Sequence, residues 1–332
     1  QTLCFPAKLV HRHLQELIDR GAELIFYPGI QQETKEYMDA DDSFNCPVVA
    51  GYPDVAGLNV DGLISGKVSY IHSFFPIDSP EKMVGNIVKE FRRQSVTSAE
   101  ARKAIKKAYK EQEKFKKDIG AMGDRTVRYI NKKGLVGVVL AGHPYHLDPE
   151  VNHGIPELIN GYNVAVLTED SVAGRPIGAE TGKGLKVIDQ WVYHSRLYRT
   201  AYVVANDPEF SRIEMVQLNS FGCGLDAISA DQAAKILEKK GRIHTLLKID
   251  ESKNNGAVRI RVRSLLAAVR ANDPLPAEAV KPENAETVHF SPALGKRTIL
   301  CPPLSQYHFQ FLESIMRAEG YDFHVLPEWG RE

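Results

Sequence analysis

The chain has 332 residues, 43% of them hydrophobic and 25% charged, and its 42 acidic and 42 basic side chains cancel to a formal net charge of zero. The length suits about two domains at ~150 residues each, and the balanced charge argues against a general nucleic-acid binder or a binder of anionic membrane surfaces. No apolar run reaches the ~18 residues of a membrane helix, and no signal peptide precedes Cys4. Four cysteines are too few for a disulfide framework. None forms a C-x-x-C pair, so zinc ribbons and thioredoxin-like redox motifs are not expected. The chain starts at Gln1 and enters a motif almost at once, which predicts a piece of a longer polypeptide, with the cytoplasm as its default location.

In chain order, residues 6–20 place Leu9, Val10, Leu14, Leu17 and Ile18 on one side of a helix that Gly21 closes. A short buried strand at 24–27 ends at Pro28-Gly29, and residues 31–43 are polar and loop-like. From 79 to 117 the pattern is helical and strongly charged; within it KKAYKEQEKFKK mixes acids with bases and reads as a solvated helix face. A second α/β unit begins near Asn131, with strands at 135–140, 163–167, 213–218 and 243–249 and helices at 152–160, 188–206 and 227–240. Strand alternating with helix predicts parallel sheets flanked by helices, a Rossmann-like α/β fold. A further helix spans 256–270, and Pro274, Pro276, Pro282 and Pro292 mark a linker. A strand, helix and strand at 298–300, 306–319 and 322–326 read as the start of another domain, too little to bury its own core. The expected organisation is an N-terminal α/β unit at 1–95, a charged connecting helix at 96–130, a second Rossmann-like domain at 131–271, a Pro-rich linker at 272–296 and the start of a truncated third domain at 297–332.

Open parallel sheets bind ligands outside the carboxyl ends of their strands. GHPYHLDPEVNHG (142–154), LTEDS (167–171), Cys223 in GCG and KIDE (248–251) each follow a predicted strand, and PGIQQE follows the first one. The fold is therefore expected to gather Cys223, His143, His146, Asp148, Glu169, Asp170, Asp250 and Glu251 along one rim. Three histidines in one loop invite a metal site, but H-E-x-x-H is absent and two prolines exclude a continuous helix. The alternative is a loop in which Asp148 or Asn152 caps the next helix and one histidine donates a proton or hydrogen bond to a ligand. No G-x-x-x-x-G-K-[ST] or G-x-G-x-x-G phosphate loop is present, and GAETGKGLK (178–186) resembles one only in composition. The absence of G-x-S-x-G argues against an α/β-hydrolase. Arg259, Arg261 and Arg263 alternate; on the predicted helix they spread around it, where solvent or salt bridges compete with a phosphate or CoA contact.

Several stretches together resemble one family: CFPAKLVHRH (4–13), FYPGIQQE (26–33), NCPVVAGYP (45–53), GHPYHLDPEVNHGIPELI (142–159), VLTEDS (166–171), NSFGCGLDAISADQ (219–232) and LLKIDESKNNGAVRIRVRSLLAA (246–268). They are similar to the region that follows the ATPase modules in large proteins related to activators of 2-hydroxyacyl-CoA dehydratases. That region itself resembles the dehydratase subunits and double-cubane cluster proteins. The resemblance covers residues 1–270 well and the tail less well. It implies iron–sulfur chemistry, with Cys4, Cys46 and Cys223 as ligands of a 4Fe-4S or double-cubane cluster and Cys301 as the odd one out. Gly222 and Gly224 would let the backbone approach the cluster, and soft thiolates suit it. His143, His146, Asp148 and Glu169 are the candidates for proton transfer.

The expected role is a cluster-bearing, dehydratase-like domain of an ATP-dependent low-potential electron-transfer system. Its expected partners are ATPase modules, in the same longer polypeptide or separate, an acyl-CoA substrate and a second copy in a homodimer; no nucleic acid and no membrane is expected. As an enzyme it would be a dehydratase-like lyase or a double-cubane-type reductase. Two other readings stay open. One is a non-catalytic scaffold that docks ATPase modules or another partner. The other is a metal-free Rossmann-like enzyme that uses the His143/His146/Asp148 loop on an acyl-CoA or small phosphorylated substrate.

Overall fold

The structure is a computed structural model, and it describes residues 4–176, 185, 187–251, 255–271, 298–301 and 306–326. Nearly all of GAETGKGLK and the whole expected linker at 272–296 lie outside the described residues. Residues 1–280 form one compact unit and residues 281–332 a second.

Four strands form the main sheet: β3 (Val136–Ala141), β4 (Val164–Thr168), β5 (Ile213–Ser220) and β6 (His244–Ile249). They run parallel in the order β4-β3-β5-β6. β3 is a continuous apolar run, and all eight residues of β5 are buried although Glu214, Gln217, Asn219 and Ser220 are polar, as a sheet covered on both faces requires. Period-two alternation divides their side chains between two cores. Val139, Ala141, Ile213 and Met215 face one layer, with Val127, Ile130, Leu197, Phe210 and Leu237. Val138, Leu140, Val216 and Leu218 face the other, with Ile155, Ile159, Val262, Leu265 and Leu266. The covering helices are α5 (Ser98–Lys133), α7 (Ile155–Asn160), α8 (Val192–Asn206), α9 (Gly224–Glu238) and α10 (Asn255–Ala271), with the single-turn α6 (Pro149–Asn152) ahead of α7. Chain order runs outward in opposite directions from the β3/β5 pair, so the switch point of this sheet lies between those two strands.

The N-terminal part is smaller. Here β1 (Leu24–Phe26) pairs in parallel with β2 (Ser69–Ile71), and α1 (Phe5–Asp19), α2 (Pro47–Gly57), α3 (Asp61–Ile64) and α4 (Pro80–Glu90) surround the pair. Its core is a cluster built from Leu14, Ile18, Ile25, Ala56, Val60, Leu63 and Val68, and a second small cluster packs Val84 of α4 against Ala101 and Ile105 of α5. Neither α2 nor β2 was expected from sequence. The 36-residue α5 lies where the connecting helix was expected at 96–130, displaced by two to three residues. A capping box on Thr97 and Glu100 starts it, and Gly134 stops it at φ +63°. In the second unit β7 (Ile299–Cys301), α11 (Gln306–Ala318) and β8 (Phe323–Val325) form a parallel βαβ element. No helix among the described residues is long and apolar enough to cross a membrane.

Candidate functional site

Three of the four cysteines occupy the same local position. Cys4 is the N-cap residue of α1, Cys46 of α2 and Cys223 of α9. The local sequence dictates this. Pro6 and Pro47 stand in the first turns of α1 and α2, where a missing N–H costs nothing and the fixed φ favours helix entry. Gly222 (φ +83°) turns the chain from β5 into α9. An N-cap side chain faces the unpaired N–H groups and the positive end of the helix dipole, a setting that favours thiolate. Neither Cys4 nor Cys223 caps its helix with a side-chain hydrogen bond, but the nearby backbone of Ala7 favours the Cys4 thiolate and that of Asp226 the Cys223 thiolate.

The starts of α9 and α1 lie along the carboxyl-end rim of the main sheet, and α2 is tied to the same unit through its loop. Cys223 follows β5, and the neighbouring β3 delivers Gly142 and His143 beside it. α1 reaches the same rim: Lys8 pairs with Glu251, and the Phe5 ring stacks on His153 at 6.1 Å between centroids. α2 is held through the loop ahead of it. Asn45 Nδ2 donates to Ile30 O (3.1 Å) and Glu33 Oε1 (3.0 Å), and Phe44 N donates to Gln190 O at 2.8 Å, just before α8. The charge of Cys46 raises the pKa of both Cys4 and Cys223, so the thiols lie within electrostatic reach of one another. All three are half-buried, and none forms a disulfide. Burial, more than any neighbour, raises Cys4 and pushes Cys223 up to about 12, with the Asp226 charge adding to the latter. Without a cation the protein therefore favours Cys223 as a neutral thiol.

A buried polar layer lies beside Cys223. His143 Nε2 donates to Asp226 Oδ1 at 2.7 Å, and both side chains are almost fully buried. His194, from the middle of α8, brings Nε2 to 3.5 Å from the same oxygen, an ion-pair contact longer than a hydrogen bond. Neither ring nitrogen of His194 nor Asp226 Oδ2 has a hydrogen-bond partner among the described residues. Burial opposes ionisation of Asp226, but His143 and His194 outweigh it and hold the carboxyl below the usual range. One ligand atom from each of His143, Cys223 and Asp226 lies within 4.8 Å of the other two.

The remaining predicted residues divide into structural and chemical groups. His146 is locked: its Nδ1 accepts from His143 N (2.9 Å), so Nε2 carries the proton and donates to Ser220 Oγ (3.0 Å). Burial depresses its pKa to about 3. A Cβ on Gly142 would lie 2.4 Å from His146 Nδ1, which explains the glycine. Asp148 is exposed and accepts from Glu150 N at 2.8 Å as the cap of α6, the alternative weighed for it from sequence. Asn152 Oδ1 accepts from Gly154 N at 2.9 Å. Glu169 is buried, accepts from Gly142 N at 2.9 Å, and is raised by burial to about 8. It shares a cavity of about 40 Å³ with His143, His146 and Arg196. Asp170 accepts from Thr168 Oγ1 at 2.5 Å. His153 leaves the group, with Nε2 on Asp250 O at 2.8 Å. Gly224 has no heavy atom within 4 Å of where a Cβ would stand and no positive φ, so the described residues give no reason for glycine there.

Two other cavities are lined by none of the three cysteines. One of about 860 Å³ borders β2 and is lined by Asp54, His72, Lys89, Arg92 and Arg93, among others, but by none of the predicted site residues. One of about 300 Å³ lies at the end of β6, where Arg261 meets His153, Lys248 and Asn255. Of the three alternating arginines, all exposed on α10, Arg261 is the one that lines this cavity. Sequence reasoning missed Asp226 and His194. Asp226 stands in the GCGLDA stretch three residues after Cys223, a signal that was available; His194 sits in an apolar helix without any motif.

No curated protein matches this sequence. One family model, described as the CoA enzyme activase uncharacterised domain (DUF2229), matches residues 1–172. The match contains Cys4, Cys46, His143, His146, Asp148 and Glu169, and stops short of Cys223 and Asp226. Because it covers more than half of the 332 residues, the chain belongs to the CoA enzyme activase uncharacterised domain family.

Proposed function

We propose that Cys4, Cys46 and Cys223 hold an iron–sulfur cluster, and that the chain is a dehydratase-subunit-like module of an ATP-driven, low-potential electron-transfer system. The observation that carries this reading is the repeated placement: three helix N-caps, three thiols, each aligned with a helix dipole, and coupled to one another by charge. Ionised together, three such thiols would repel; a cationic iron core relieves the repulsion and the burial cost at once. The open space beside Gly224 suits a bulky inorganic group. Three thiolates would leave one iron free, and that iron would supply Lewis-acid binding of a substrate oxygen and single-electron transfer.

The chain's own residues would manage protons and position. Glu169, raised to about 8, remains a carboxylic acid near neutrality and can donate a proton. His143 is fixed by Asp226 with its Nε2–H committed, and His146 holds the β3 turn against β5. ATPase modules would deliver the electron. An acyl-CoA is the substrate class in this reading, and the cavity containing Lys248 and Arg261 offers cations for its phosphates.

A second reading is a single divalent ion held by His143, Cys223 and Asp226, favoured by their mutual approach within 4.8 Å and by a nitrogen, sulfur and oxygen donor set. Metal and acid-labile sulfide analysis of anaerobically purified protein separates the two. The cluster reading expects matched iron and sulfide, lost in Cys4→Ala, Cys46→Ala and Cys223→Ala and kept in Cys301→Ala. One metal ion without sulfide, surviving Cys4→Ala and Cys46→Ala but not His143→Ala, would replace it with the second. A folded protein with neither would favour a docking scaffold.

A further inference from the structure

The long helix α5 carries a feature that the site does not use. Phe115, Met122 and Tyr129 are 55%, 56% and 54% exposed, and they recur every seventh residue. Half-buried Ile119 and Thr126 fall between them, giving a 4-3-4-3 spacing of Phe115, Ile119, Met122, Thr126 and Tyr129. That is the spacing of a coiled-coil seam, which keeps one stripe facing a partner helix. The helix is anchored on another face, where Gly123, Val127 and Ile130 are buried. At 100° per residue the exposed stripe lies roughly 100° around the helix from that face. Three large apolar side chains aligned over about 21 Å at 1.5 Å per residue are more than scattered surface hydrophobics.

The charges beside the stripe select the occupant. Glu111 and Asp118 flank its N-terminal half, and Arg125 and Lys132 its C-terminal half, all on the same outer edge. Asp118, Arg125 and Lys132 form no ion pair among the described residues, and Glu111 makes only a 3.9 Å contact to Lys114 with both side chains largely exposed. A second copy of α5 laid antiparallel, with its two-fold axis at Met122, places Asp118 against Arg125 and Glu111 against Lys132 of the other copy. Each pair then occurs twice, and Phe115 meets Tyr129. A parallel pairing would instead set this edge against the partner's opposite edge, where Gly123 and Ile130 offer no charge to Asp118 or Arg125. We infer that this face of α5 is a self-association surface that joins two copies of the chain through an antiparallel helix pair centred on Met122.

The test is sedimentation of the intact protein together with cysteine cross-linking. The expected results are a dimer at micromolar concentration, loss of the dimer in Met122→Glu with an unchanged circular dichroism spectrum, and a roughly tenfold weaker dimer in Asp118→Arg, since two symmetry-related pairs turn repulsive. Asp118→Arg combined with Arg125→Asp restores association. Met122→Cys gives a covalent dimer on mild oxidation, whereas Phe115→Cys does so only when mixed with Tyr129→Cys. A monomer at all concentrations would overturn the inference. So would a dimer that survives Met122→Glu, or self-cross-linking of Phe115→Cys, the signature of a parallel pair.

Discussion

The β4-β3-β5-β6 sheet is covered on both faces by clusters of buried aliphatic side chains, whereas the β1-β2 sheet has three-residue strands and one small cluster. Both regions nonetheless present cysteines in the same way, at the N-cap of a helix. The large sheet does so through a strand-to-helix turn made by Gly222. The small one does so through Pro-started helices, and the loop ahead of Cys46 is tied to α8 of the large sheet by polar contacts. A local device, the helix N-cap, thus sets the chemistry, and the tertiary scaffold needs only to aim the helix. The difference lies in what fixes the aim: apolar burial in one region, charge and hydrogen bonds in the other.

The comparison breaks most visibly in the large core. Phe210 is fully buried among α5, β5 and α8 residues, with the Arg175 guanidinium 5.0 Å from its ring centroid. Phe210→Ala is expected to cost about 3–5 kcal/mol in urea unfolding. Ile25→Ala in β1 is expected to cost less, about 2 kcal/mol, because its smaller cluster can collapse around the gap. Equal losses would show that the two cores are equally consolidated.

Next comes the tie between the regions. Glu36 in the loop ahead of Cys46 accepts from Arg196 Nε at 2.7 Å and Nη2 at 2.6 Å, and from Lys116 Nζ at 2.6 Å. Glu36→Ala strands a largely buried guanidinium and is expected to cost about 3 kcal/mol. Its specific sign is faster labelling of Cys46 by a thiol reagent under native conditions, with Cys223 labelling unchanged. Equal acceleration at both would mean that the loop is not separately held.

The smallest effect, taken over one pH unit, is in the pH dependence of stability. His146 (about 3) and His244 (about 4) are depressed by burial below their unfolded value near 6.5. In that range the unfolded chain binds more protons, so stability falls as pH drops from about 6.5 toward 3–4, by about 1.4 kcal/mol per unit for each group. Glu169 is raised by burial to about 8. The folded chain keeps that proton longer, so its contribution is complete below the unfolded value near 4.5 and is lost as pH rises toward 8. The slopes oppose between about 4.5 and 6.5, and of these three groups Glu169 is the one that acts above. Glu169→Gln is expected to flatten the thermal-stability profile between pH 6.5 and 8; an unchanged profile there would place its titration elsewhere.

Much of this was legible beforehand. The main strands were visible because β3 is an unbroken apolar run and β5 carries Ile213, Met215, Val216 and Leu218, and the switch-point rule drew His143, Glu169 and Cys223 to one end of the sheet. β2 was missed because three residues, Ser69–Ile71, cannot show a period. α2 was missed because PVVAGYPDVAG contains Pro53 and two glycines, which read as breakers, although burial of Tyr52 and Ala56 outweighs them. The polar layer was half legible. His143 stood out by composition, but its partners Asp226 and His194 come from positions 83 and 51 residues away and look like ordinary helix residues until the fold joins them.

The measurement closest to the central claim is electron paramagnetic resonance of anaerobically purified protein after dithionite reduction, read beside iron and acid-labile sulfide content, for the parent and Cys223→Ala. The account predicts about four irons and matching sulfide per cluster and a reduced-cluster signal in the parent, all lost in Cys223→Ala while its fold persists. A folded, iron-free parent, or a variant that keeps the full signal, would contradict it.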